Sequence, residues 1–381
     1  MFESFGQALR RLRLAAGLSQ PQLARRAYVS QSSICRYEND KQTPDGTTAQ
    51  HLDDVLDGGG ALVALAEPAD VFTGVIAPDE HDRPVDSRYV DSMRETIHHL
   101  VALDGLHGGN DIAGLAVRLF RTAHRKLSSR LYERAVERDF EAVTGEMGEL
   151  AGWLLYDTDR QDESRTLNLE SLTLSRMAGD RAIELFTLSN WSMQSLYVGR
   201  PREALRIVDT AMDDGFLSPR VTTLLRIRRA RALADLGAET EALAEMSRSR
   251  TALSDGVRGS DPAWTWWVGN GVVDWNEGML CAGLGNWSTA VDWFSRAAEH
   301  FATQQPRWRY ENNAHLLEAL IRVRDWSRAE TVTEELVSLA ADMGSDRVSR
   351  LLQRMIAESR RTSTQSTLAD MLAELDRRVA V

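Results

Sequence analysis

The stretch Leu18-Ser19-Gln20-Pro21-Gln22-Leu23-Ala24-Arg25-Arg26-Ala27-Tyr28-Val29-Ser30-Gln31-Ser32-Ser33-Ile34-Cys35-Arg36-Tyr37-Glu38 holds two helix starts eleven residues apart. Ser19 suits an N-cap, with Pro21 early in the first turn, and Ser30 suits a second N-cap. Leu23, Ala24 and Ala27 give the helix over 20–27 one apolar face, and Tyr28-Val29 leaves room only for a tight turn. The next helix, 31–38, is two-sided. With Gln31 at 0° and ~100° per residue, Ser33, Ile34 and Tyr37 fall between about 200° and 300°, and Cys35, Ser32 and Arg36 at about 40°, 100° and 140°. The first face suits a core. The second offers an amide, a hydroxyl and a guanidinium, and Gln and Arg side chains can pair with adenine and guanine edges in the major groove.

Working outward, Phe5, Leu9 and Leu12 are spaced for a helix over 4–15 that Gly17 ends. Beyond a polar loop, Thr47 or Thr48 caps a fourth helix carrying Leu52, Val55 and Leu56, which stops at Gly58-Gly59-Gly60. Two short helices joined by a tight turn make a helix-turn-helix. A plain helical cap would need only the apolar faces, whereas caps, turn and helix wheel here agree on the motif. The segment resembles the lambdoid-repressor-like (Cro-like, XRE-type) DNA-binding domain over about 60 residues. That resemblance implies phosphate contacts from Gln20 and Ser30, base contacts from Gln31, Ser32 and Arg36, and an ion pair between Arg13 and Glu38; Lys41, a basic residue of the same segment, is a further expected DNA contact. Tyr28 stands where that family usually has Gly, which predicts a strained or re-routed turn.

Charge separates this head from the rest. Residues 1–44 carry seven basic and three acidic residues, +4 of a chain total of −11, leaving −15 on the remainder. A basic head on an acidic body confines contact with a polyanion to the head. Nine Pro in 381 residues favours helices. Cys35 and Cys281 are far apart and fit no metal or disulfide framework, so a reducing cytoplasm is the expected location. No apolar run reaches the ~18 residues that span a bilayer.

Pro68, Pro78 and Pro84 lie among acidic residues in 67–86, the expected linker between a head at 1–66 and a body at 87–358. The body repeats itself. Tyr197-Val198-Gly199-Arg200-Pro201-Arg202-Glu203-Ala204 recurs as Asp235-Leu236-Gly237-Ala238-Glu239-Thr240-Glu241-Ala242, Gly283-Leu284-Gly285-Asn286-Trp287-Ser288-Thr289-Ala290 and Arg322-Val323-Arg324-Asp325-Trp326-Ser327-Arg328-Ala329, with a fainter copy at Asp157 to Ser164. Each copy ends one helix at a glycine-like turn and opens the next with a small residue five positions on. Recurrence at roughly 34–40 residues signals stacked helical hairpins. The longer interval before Gly285 carries an insertion around Gly256 to Pro262. Ahead of the repeats, a break at Gly108-Gly109 is followed by Asn110 or Asp111 as the cap of a helix with Leu115, Leu119 and Phe120. The final helix, 366–379 within the tail 359–381, presents Leu368, Leu372 and Leu375 on one face and suits a solenoid cap or a dimer contact.

The body resembles the tetratricopeptide-repeat family over roughly 140–358, with an untyped α-solenoid as the alternative. The expected fold is thus all-α: a helix-turn-helix bundle followed by an α-solenoid of tetratricopeptide-like hairpins. In that family the groove-facing residue precedes the turn glycine by nine positions, which implies Asn190, Arg228, Asn276 and His315 as a ligand groove. Trp191, Tyr197, Trp275, Trp308 and Tyr310 lie nearby in sequence. Polar residues also line plain solvated grooves, so the groove and its occupancy are separate expectations. In Asp261-Pro262-Ala263-Trp264-Thr265-Trp266-Trp267, a helix would put Trp264 and Trp267 on one face and Trp266 on the other, as core or as interface.

No phosphate-cradling Gly loop, GxSxG or HExxH motif occurs, and adjacent His98 and His99 point about 100° apart on a helix, so no catalytic residue, metal or cofactor is expected. The expected function is a cytoplasmic, sequence-specific DNA-binding transcription regulator, homodimeric on an inverted repeat, whose repeats sense a peptide, small molecule or protein partner. This order of domains is similar to that of regulators binding short signalling peptides in a repeat groove. A protein-interaction scaffold with a non-reading head is the alternative.

Overall fold

The computed structural model describes residues 5–27, 29–38, 44, 46–56, 58, 62, 83–213, 215, 217–254, 260–301, 306–359 and 366–379. Tyr28, Lys41 and most of the expected linker lie outside them. The chain forms two compact units, Met1–Arg83 and Pro84–Val381.

The first unit holds α1 (Phe5–Ala15), α2 (Gln20–Arg26), α3 (Gln31–Glu38) and α4 (Gly46–Leu56). Ser19 forms a capping box: its Oγ accepts from the Gln22 N–H and its N–H donates to Gln22 Oε1 at 2.8 Å. Two orphan donors are thereby satisfied at the start of α2. Leu9, Leu23, Ile34 and Leu52 are fully buried in one core, and Phe5 meets Tyr37 edge-on. The fourth helix begins at Gly46, before the expected threonine caps.

The second unit is an α-solenoid. It consists of α5 (Ser87–His107), α6 (Ala113–Ser128), α7 (Glu137–Asp157), α8 (Gln161–Ala178), α9 (Arg181–Tyr197), α10 (Pro201–Asp213), α11 (Pro219–Asp235), α12 (Glu239–Ser254), α13 (Asn270–Gly283), α14 (Trp287–Phe301), α15 (Pro306–Val323), α16 (Trp326–Leu339), α17 (Asp346–Ser359) and α18 (Ser366–Val379). Among the described residues there is no strand; Val85 makes one isolated bridge to Tyr132.

The repeated turn has one conformation. Gly199, Gly237 and Gly285 have φ of 73°, 81° and 80°, and Arg324 and Asp159 adopt 61° and 56° at the equivalent points. The small residues five positions on, Ala204, Ala242, Ala290, Ala329 and Ser164, are all 0% exposed. A left-handed residue ends the first helix, and a small side chain lets the second cross it closely.

Asn110 and Asp111 do not cap α6. Ile112 occupies the cap position without a side-chain bond, because Asn110 is engaged elsewhere. Its Nδ2 donates to Asp346 Oδ1 at 2.8 Å, and its N–H donates to the Gly344 carbonyl. The Gly344 N–H in turn donates to the His107 carbonyl at 2.7 Å. A Cβ on Gly108 would collide with the Gly344 carbonyl, so glycine is required for this approach. The last hairpins thus come round onto the first: α15 packs on α5, and α17 on α7. Leu368, Leu372 and Leu375 of α18 are buried against α16 and α17, so the final helix caps the solenoid.

Candidate functional site

In the head, the outer side of α3 is the candidate nucleic-acid interface. Gln31, Cys35 and Arg36 are exposed, while Ile34 and Tyr37 are buried. Ser30 caps α3, its Oγ accepting from the Ser33 N–H at 3.0 Å. Arg36 Nη2 donates to Ser33 Oγ at 3.3 Å. Ser32 lies on α3.

The Arg13–Glu38 pair is present and buried. Arg13 Nη2 donates to Glu38 Oε2 at 3.0 Å, Arg13 Nη1 to the Leu18 carbonyl at 2.7 Å, and Gln20 Nε2 to Glu38 Oε2 at 2.8 Å. Burial alone would raise the Glu38 carboxyl; hydrogen bonds from Arg13 and Gln20 outweigh it and hold the pKa below the usual range. The pair ties α1 and the start of α2 to the end of α3, fixing the angle at which α3 is presented. Gln20 is therefore part of this strut as well as a candidate phosphate contact.

In the body, a cavity of about 600 Å³ is walled by the first helices of the hairpins. All four residues picked by counting back from the turns line it. Asn190, Arg228 and Asn276 are buried, and His315 is half-buried. Asn190 Nδ2 donates to Glu149 Oε1, and Asn276 Nδ2 to the Val272 carbonyl at 2.8 Å. His315 stacks on Phe294 and tilts against Trp275. Burial, then Arg347, push its pKa down to about 3, so the imidazole is neutral at pH 7. Glu149 is the opposite case, pushed up to about 8 by burial, a protonated carboxyl in the wall.

The aromatic neighbours divide. Tyr197, Trp275 and Trp308 line the cavity. Trp191 instead packs in the core of α9–α11 under the Arg165 guanidinium, and Tyr310 is 1% exposed in the core of the last hairpins. Residues 263–267 form a 3₁₀ helix rather than an α-helix. Trp264 stacks on Phe186 with ring centres 4.4 Å apart, Trp267 reaches Phe186 and Trp308, and Trp266 is 54% exposed at the cavity. In all, seven of the ten tryptophans line this chamber.

A buried ionic cluster at the closure escapes reading from the sequence. Arg307 donates to Asp104 at 2.8 Å and to Asp157 at 2.9 Å, Arg347 to Glu311 at 2.6 Å and Asp157 at 3.3 Å, and Ser345 to Asp157 at 2.7 Å. Burial works against the Asp157 charge, but Arg307 and Arg347 outweigh it and hold the pKa at about 2. Among the described residues no group of His, Cys, Asp or Glu is arranged to hold a metal, and no helix is long and apolar enough to cross a membrane.

A family model described as a helix-turn-helix domain matches residues 4–66. The head is a helix-turn-helix domain. No curated protein matches the chain. Among solved structures, Bacillus thuringiensis PlcR in complex with the peptide PapR7 and DNA is similar at 14% identity, covering 79% of this chain and 95% of that one with a TM-score of 0.39.

Proposed function

We propose that the protein is a sequence-specific DNA-binding transcription regulator whose solenoid senses an effector in its central chamber. The observation that carries this is the head: a helix-turn-helix domain whose α3 turns Gln31 and Arg36 outward within the basic segment 1–44, while its buried face is locked by Arg13–Glu38. Gln31, Ser32 and Arg36 serve as base contacts. Ser30, Lys41 and the amide hydrogen of Gln20 not given to Glu38 serve as phosphate contacts. The domain limits follow the same division, with a DNA-reading head at 1–66, a linker at 67–86, a sensing body at 87–358 and a capping tail at 359–381.

One head covers one half-site, so the functional species is a homodimer on an inverted repeat, with recognition helices about 34–36 Å apart. Asn190, Arg228, Asn276 and His315 belong to the effector site. An effector changes DNA binding only through unequal affinity for two shapes of the body. A regulator of this kind works in the cytoplasm and needs no enzymatic step.

The test is fluorescence anisotropy of the full chain with DNA from its own upstream region and with a shuffled duplex, at two salt concentrations. Specific regulators exceed non-specific binding by about 10³ or more, and added salt weakens both. Equal affinity for both duplexes would instead make the protein a scaffold with a non-reading head.

A further inference from the structure

Four arginines are buried among the described residues: Arg13, Arg228, Arg307 and Arg347. Three are ion-paired, Arg13 with Glu38, Arg307 with Asp104 and Asp157, and Arg347 with Asp157 and Glu311. Arg228 is not. It is 4% exposed, faces the chamber, and among the described residues makes only a long hydrogen bond, Nε to Ser189 Oγ at 3.4 Å. Burial and the neighbouring Arg231 lower its pKa to about 10, which leaves it cationic at pH 7. A buried guanidinium without a counter-ion is costly, and a fold keeps one where something else supplies the negative charge.

The chamber does not supply it. Of its acids, Asp104 and Glu311 are committed to Arg307 and Arg347, and Glu318 and Glu358 to Arg322. Burial pushes Glu146, Glu149 and Asp235 toward the protonated form. A protonated Glu149 is a hydroxyl donor, which suits an anion as well. Much of the remaining wall is apolar, with Trp264, Trp266, Trp267 and Trp308 lining it from adjoining elements beside aliphatic side chains, surroundings that suit a flat apolar body. A volume of about 600 Å³ lies in the range of small-molecule sites.

We propose that the chamber binds a small organic anion, a single acidic head group on a flat aromatic or apolar body, with Arg228 as its counter-ion. This rests on the reading of the chamber as the effector site.

The test uses 8-anilinonaphthalene-1-sulfonate and its uncharged relative N-phenyl-1-naphthylamine, titrated into the full chain with probe fluorescence as the readout. The expected result is one saturable site that prefers the anion by at least about tenfold, in line with a charged hydrogen bond. Arg228→Met should lose that preference and still bind the neutral probe, and Arg228→Lys should keep it. The melting temperature of R228M should equal or exceed that of the wild type, because the substitution removes an uncompensated buried charge. No saturable anion binding, equal affinity for the two probes, or an R228M protein that still prefers the anion would overturn the proposal. So would an R228M protein that melts lower and loses both probes, since Arg228 would then be structural. The regulator reading fails separately: DNA binding without sequence preference, beside intact anion binding, sinks that reading and leaves this one standing.

Discussion

Arg36 is exposed on α3 beside buried Tyr37, so truncating it removes a group from the outer side of α3 and leaves the core of the head untouched. Arg36→Ala should cost roughly 1–3 kcal/mol of binding at one base position. Anisotropy against a set of single-base operator variants measures this, and an equal loss on every duplex would make Arg36 a phosphate contact. Glu149 offers a pH experiment. Its folded pKa of about 8 lies above the ordinary glutamate value, so the folded state holds a proton that the unfolded state has released. Its contribution to stability is present below about pH 4.5 and is lost as pH rises toward 8. Glu149→Gln, which mimics the protonated carboxyl, should flatten urea-derived stability across that window and raise it at the alkaline end. Residue placement was legible where a periodic marker existed. Counting nine positions back from each turn put Asn190, Arg228, Asn276 and His315 on one wall. Trp191 and Tyr310, near this wall in sequence, are not part of it, because proximity in sequence is not orientation: Trp191 follows Asn190 directly, and one step along a helix turns a side chain by about 100°.

At the scale of the element, the shared feature is the left-handed residue between paired helices. Gly fills it three times, whereas Arg324 adopts φ 61° with a side chain. That conformation costs an L-residue ~1–2 kcal/mol, against ~0.5–1 kcal/mol for the chain entropy of glycine. Arg324→Gly should therefore raise stability by up to about 1 kcal/mol, and Gly237→Arg should lower it by a similar amount, both by denaturant unfolding. This pattern made the hairpins visible in sequence: the spacing recurs, and the crossing alanines recur with it. The helices of the head were equally plain, since each has an apolar face and α2 and α3 each start at a serine cap. Two elements escaped. The segment at Ala263–Trp267 is 3₁₀, where residues three apart eclipse, so Trp264 and Trp267 both reach Phe186 while Trp266 stays exposed. The start of α6 lacks its expected cap because Asn110 bonds to a partner 236 residues away, and nothing local signals that exchange.

At the scale of the whole body, the solenoid is closed by charge. Asp157 is fully buried between Arg307 and Arg347, and Ser345 donates to it. Asp157→Asn leaves two guanidiniums short of a counter-ion and should cost about 3–5 kcal/mol at neutral pH. With a folded pKa of about 2, below the ordinary value near 3.9, the contribution of Asp157 is complete above about pH 4 and vanishes as pH falls toward 2. The variant should thus lose the steep acid limb of the wild type in that window, which urea unfolding at several pH values would reveal. None of this was visible beforehand, because pairs 150 to 203 residues apart leave no periodicity to detect.

The same closure sets an order of assembly. Each hairpin gathers its contacts from a few tens of neighbouring residues and can form as soon as they leave the ribosome. The seam joining His107 and Asn110 to Gly344 and Asp346 has to wait for almost the entire chain. Long-range closure is slow relative to local helix formation. During synthesis the protein therefore passes through an open arc that is already helical but encloses nothing. In refolding, far-ultraviolet dichroism should recover before the fluorescence of the tryptophans around the chamber, and the lag should lengthen when the seam is weakened by Asn110→Ala.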